Sequence, residues 1–165
     1  MYYSIERAVS LVKAVDTLRK QGYKVKIKHI GQKYEWIEEN LRENNISFEC
    51  YEECGLMNYE DGMALLGTAD FFIVEDTSPD DVGTKIYDYI FFNKPVIAAT
   101  PSDIPLAKLV RTFKNGYVCS TDKEVEEAMY KVVTEHPETL DESLDSKKYS
   151  RREQNQNIIN RMKEL

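Results

Sequence analysis

ADFFIVEDTSPDDVGTKIYDYIFFNKPVIAAT, residues 69–100, sets the reading of the whole chain. FFIV at 71–74 is a short, wholly apolar run, and PVIAA at 95–99 is another. Between them, residues 83–92 are apolar nearly all round, as a buried helix is. Two apolar strands joined by a helix are predicted to lie side by side and parallel, because the crossover carries the chain back to the same end. Asn93 tolerates the left-handed conformation that ends a helix, and Pro95 forbids its continuation.

The same alternation extends outward. Residues 4–21 place Ile5, Ala8, Val9, Val12, Val15 and Leu18 at helical spacing, with Ser4 as cap and Gly22 at the stop. KVKIKHI at 24–30 alternates strictly and predicts a strand ending at Gly31. A helix is expected over 33–44, carrying Trp36, Ile37 and Leu41, then a strand at ISFECY, 46–51. A loop around Gly55 leads to a helix at 59–67. Beyond residue 100, a helix from Asp103 to about Lys114, a strand at 117–119 and a helix from 123 to 135 capped by Asp122 complete the pattern. This order predicts an α/β, Rossmann-like, three-layer domain with a parallel sheet. Ligands of such sheets sit at the carboxyl ends of the strands, here Gly31, Gly55, the 75–84 loop and the loop after Thr100. Residues 1–136 form the expected domain. Residues 137–165 are polar, with a narrow apolar stripe at Ile158, Ile159, Met162 and Leu165. They read either as a solvated tail or as a crossing segment and helix that pack on something else.

Composition narrows the function. The chain has 165 residues, 42% of them hydrophobic, and 22 basic residues against 29 acidic ones give a net charge of −7. A generic nucleic-acid binder needs a basic face, so nucleic acid is not an expected partner. Three cysteines, Cys50, Cys54 and Cys119, and two histidines at no zinc spacing predict free thiols in a reducing compartment and no metal. No apolar run approaches the roughly 18 residues of a membrane helix, and the N-terminus lacks signal-peptide order. The expectation is a cytoplasmic protein, with peripheral membrane association of a longer protein left open.

Asp88 interrupts the apolar helix, and a carboxylate there must be paired or face a cleft. One reading pairs it with a local donor such as Lys85. The other gives it a ligand. Gly83 permits close approach of the backbone, Thr84 adds a hydroxyl and Lys85 a charge at the helix start, which suits a phosphate. Asp88, a turn further on, would then accept from sugar hydroxyls.

This segment resembles the nucleotide-sugar site of GT-B fold glycosyltransferases of the large retaining group. That family carries two glutamates eight positions apart, with a glycine three after the first, then a helix and a Gly-Lys-Pro-Val strand entry. Asp80 and Asp88 stand at the acidic positions, Gly83 is in register, and NKPVIAA at 93–99 follows. The likeness covers about residues 4–135, the carboxyl-terminal, donor-binding half. It implies that Asp88 holds the ribose, Thr84 and the 83–85 backbone the diphosphate, and Asp80 the donor sugar. Gly55, Leu56 and Met57 would meet the base. Arg7, beside Glu6 at the position of a family lysine, would add charge to the diphosphate.

The resemblance further implies a hexosyltransferase-type enzyme of glycan or cell-surface polysaccharide synthesis, acting on a UDP- or GDP-linked sugar. No cofactor is expected; helix N–H groups and basic side chains replace a metal at the diphosphate. The acceptor domain would be a missing partner, the final helix would pack on it, and the chain alone would be inactive. A non-catalytic nucleotide-binding or regulatory module of the same architecture is the alternative. A flavodoxin-like signalling domain fits less well, since its phosphoacceptor aspartate should end an early strand, and His29-Ile30-Gly31 stands there.

Overall fold

The computed structural model describes residues 5–163. Ser4 and Leu165 lie outside the described residues, as do the side chains at 5–8, 151, 154, 157, 158, 161 and 163. The elements run α1 (Ile5–Lys20), β1 (Ile27–Ile30), α2 (Glu35–Glu43), β2 (Tyr51–Gly55), α3 (Tyr59–Gly67) and β3 (Phe72–Glu75). They continue with α4 (Lys85–Phe91), β4 (Val96–Ala99), α5 (Pro105–Val110), β5 (Gly116–Cys119), α6 (Asp122–Glu135) and α7 (Arg151–Lys163).

Every strand pairing is parallel, as expected of the α/β class. Among the described residues the strands form two sheets rather than one, β1-β2 and β3-β4-β5. One strand is displaced from its expected place. Residues 46–50 turn instead of extending, because the Ser47 hydroxyl accepts from Glu49 N–H and opens a 3-10 turn over Phe48–Cys50. Pairing with β1 then begins at Tyr51.

Two apolar clusters cover the two faces of β4. Val96 and Ala98 pack with Phe72 and Val74 against Ile86 and Ile90 of α4 and Leu106 and Val110 of α5. Ile97 and Ala99 face the other way, toward Val15 and Leu18 of α1 and Met129 and Val132 of α6. This is the period-two alternation of a strand buried on both faces. Helix α6 begins with a capping box between Thr121 and Glu124. Asn93 takes φ 50° just after α4, as the sequence predicts.

The chain after residue 136 is tied to the domain as far as Tyr149. Leu140 is fully buried against the α4 and α5 cluster, with Leu144 and Tyr149 packed beside it. Its N–H donates to Asn93 C=O at 2.8 Å, and its C=O accepts from Asn115 N–H at 2.8 Å. Ile159 and Met162 of α7 are exposed. No helix among the described residues is long and apolar enough to cross a membrane.

The cysteines are free. Burial, then the Glu124 carboxylate, pushes the Cys119 thiol up to about 12, and burial with Asp16 raises Cys50. Neither is a nucleophile at neutral pH. Among the described residues, no cluster of His, Cys, Asp and Glu could hold a metal ion.

Candidate functional site

The carboxyl ends of β3 and β4 are stitched by two residues. Asp76 is 7% exposed. Its carboxylate accepts from Ser78 N–H at 2.9 Å and from Gly83 N–H at 3.2 Å, folding the 76–83 loop back on itself. The Thr100 hydroxyl, fully buried, donates to Asp76 C=O at 2.5 Å, while Thr100 N–H donates to Cys119 C=O at 2.8 Å. A short polar side chain two residues before a free N–H is a turn signal, and Asp76-Thr77-Ser78 carries it. Asp76 is the residue that reading for ligands overlooks, because its carboxylate serves the loop itself.

Beside this loop opens a cavity of about 1240 Å³, lined by Lys85, Asp88, Met57 and His29 among others. Asp88 is half-buried, on the cavity face of α4. Among the described residues its carboxylate has neither a hydrogen-bond nor an ion-pair partner, and Lys85, three residues back, does not pair with it. The reading in which Asp88 is an internal partner of Lys85 is therefore not what the side chains do. No family model and no curated protein matches the chain. What the site can do must be read from its own groups.

His29 was not singled out by the sequence. It stacks on Tyr34 with ring centroids 5.7 Å apart, at the end of β1. Burial, then the Lys85 ammonium, holds its imidazole below the ordinary value, and Glu53 opposes the shift. The folded chain thus favours neutral His29. As pH falls below about 6.5 the unfolded chain takes up this proton first, so the stability present above that value declines with acidification. His29→Gln should flatten the fall in unfolding free energy between pH 7.5 and 5.5. Identical pH slopes in the two proteins would remove His29 from this role. Glu75, 3% exposed at the end of β3, lines the same cavity.

The other predicted residues are spread out. Met57, Lys85 and Asp88 meet in the cavity. Gly83 lies at the loop edge, its N–H already bonded to Asp76, and Thr84 is exposed. Asp80 is exposed on the loop and does not line the cavity. Gly55 ends β2 at φ 75°, and Leu56 beside it is 84% exposed. The side chain of Arg7 lies outside the described residues.

Proposed function

We propose that the chain is the donor-binding half of a GT-B type glycosyltransferase and binds a nucleoside diphosphate sugar. The observation that carries this is the Asp88 carboxylate, without a hydrogen-bond or ion-pair partner among the described residues, which shares with Lys85 a cavity that runs along β1 and β3 and includes their carboxyl ends. Such a carboxylate is suited to accept from two vicinal ribose hydroxyls, and Lys85 to meet the diphosphate. Backbone N–H groups of Thr84 and Lys85 lie in the first turn of α4, where no intrahelical acceptor reaches them. Met57 offers an apolar, adaptable surface to the base. The protein holding this half would transfer a hexosyl unit to an acceptor hydroxyl, and the isolated chain would transfer nothing.

Asp88→Ala should weaken binding of UDP, GDP or ADP roughly 10- to 100-fold, since a charge-assisted bond contributes about 1.5–3 kcal/mol and 1.4 kcal/mol is tenfold. The melting temperature should hold. Asp88→Asn should lose less, because an amide oxygen still accepts. Calorimetric titration and thermal unfolding of the same variant decide the matter. A destabilised variant with unchanged nucleotide affinity would end the ribose assignment.

A second reading, a non-catalytic nucleotide-binding module, is favoured by one feature. Asp80, which would meet the donor sugar, stands outside the cavity. Sugar transfer by the complete gene product separates the two, since the module binds nucleotide and transfers nothing.

A further inference from the structure

His29 shares the cavity with Lys85 and Asp88, and its ring is held at the end of β1. It is the next-to-last residue of that strand, and it leans over the turn that follows: a Cβ on Gly31 would lie 3.1 Å from its Nε2. Gly31 N–H donates to Gly55 C=O at 3.0 Å, which closes this turn against the end of β2. Tyr34 and Tyr51 flank the imidazole, with ring centroids 5.7 Å and 6.0 Å away. Rings packed this way fix the orientation of the imidazole and leave Nε2 at the carboxyl end of β1, where ligands of parallel sheets bind. Among the described residues neither ring nitrogen has a hydrogen-bond partner.

Lys85 lines the same cavity, near enough for its ammonium to act on the imidazole. It is exposed and has no ion-pair partner among the described residues. The acids nearby are engaged or act elsewhere. Glu53 on β2 accepts from Tyr34 N–H at 3.3 Å through Oε1 and pairs with Lys33 at 3.4 Å through Oε2. Glu75 at the end of β3 and Asp88 on α4 line the cavity, but the charges that act on the imidazole are those of Lys85 and Glu53. Lys85 prevails over Glu53, and with burial it keeps His29 neutral in the folded chain. An anion set against Lys85 reverses that balance. It cancels the repulsion and favours the imidazolium, whose nitrogens both donate.

We propose that His29 and Lys85 form a two-point clamp for a phosphoryl group of the ligand, and that His29 takes up a proton as this group binds. The clamp rests on the reading of the cavity as a nucleoside diphosphate sugar site, and it makes that site sensitive to pH. By linkage, the anion favours protonation of His29 by the same factor as protonation favours the anion. Binding is therefore tightest below the pKa of His29 in the complex and weakens as the pH rises through it.

Titration calorimetry with UDP-, GDP- and ADP-glucose tests the clamp. Their diphosphates are esterified at both ends and do not themselves titrate between about pH 6 and 8. Whichever of them binds should do so about 3- to 10-fold more tightly at pH 6 than at pH 8, since each unit by which the anion raises the pKa of His29 is worth up to about tenfold. Near pH 6.5, heats measured in buffers of different ionisation enthalpy should report uptake of roughly 0.3–1 proton per ligand. His29→Gln should abolish the uptake and flatten the pH dependence. The chain has two histidines, so ring resonances of the unaltered protein give a second reading. The titration midpoint of His29 should rise by at least about half a pH unit on binding. That of His136, which ends the helix leading the chain back from β5, should stay where it is. Equal affinity at the two pH values, no proton uptake, uptake that survives in His29→Gln, or an equal shift at both histidines would each overturn the clamp and leave the nucleotide reading standing. Binding of none of the three at either pH would overturn both.

Discussion

Leu140→Ala should cost the folded state about 2–5 kcal/mol, the range for emptying a fully buried leucine site. For a chain of this length that lowers the melting temperature by roughly 5–15 °C. Leu140 sits at 0% exposure in the cluster that also holds Ile86, Ile90 and Phe113. Its main chain bridges Asn93 and Asn115, so the side chain cannot swing away without breaking two backbone bonds. Urea denaturation gives the value. A loss below about 1 kcal/mol would mean that the segment after residue 136 is not docked as described.

Gly116→Ala should be about as severe, by a different route. A Cβ at Gly116 would lie 2.2 Å from the carbonyl oxygen of Val110 and 3.0 Å from its Cγ1. The carbonyl belongs to the last residue of α5, so relief requires moving the helix against β5. Overpacking of this kind costs about 1–3 kcal/mol, and more where the obstacle is backbone. Gly62→Ala makes the control. It lies inside α3, a Cβ there meets only Met57 Cγ at 3.8 Å, and alanine should stabilise by about 0.5–1 kcal/mol. Equal effects at the two positions would refute the steric argument.

The helices were legible because their apolar residues repeat at one period, and β3 and β4 because each is an unbroken apolar run. Helix α3 was expected at 59–67 and runs from Tyr59 to Gly67, and β4 fell within PVIAA. Strand β2 was not legible in its true place. YEECG alternates weakly, since β2 lies at the edge of its sheet and its two glutamates face solvent or Lys26 and Lys33. Ile46 and Cys50 look like strand residues, but a 3-10 turn buries them. Leu140 carries no periodicity, being a single apolar group in a polar stretch, so only the tertiary structure shows its burial.

At the candidate site, the interrupted helix pointed to Asp88, and the structure leaves that carboxylate facing a cavity. Asp80 and Leu56 were reached through the resemblance, and no packing holds either of them toward the cavity. Thr100 and His29 carry no spacing signal, and the turn signal at Asp76-Thr77-Ser78 does not point to a ligand. Their importance comes from which backbone groups and rings happen to meet at the strand ends.

The pairing of α1 with α6 bears on how the chain reaches this state. The segment from β3 to β5 closes its sheet through two short crossovers, with contacts between residues near one another in sequence. Helices α1 and α6 stand more than 100 residues apart, and one apolar cluster draws on both. Bringing them together closes a long loop, whose entropy must be met before their contacts are gained. The α1–α6 contacts therefore carry a loop-closure cost that neither the β1–α2–β2 crossover nor the β3-to-β5 segment bears, so the long-range helix pair, not either strand pairing, sets the entropic demand of this cluster.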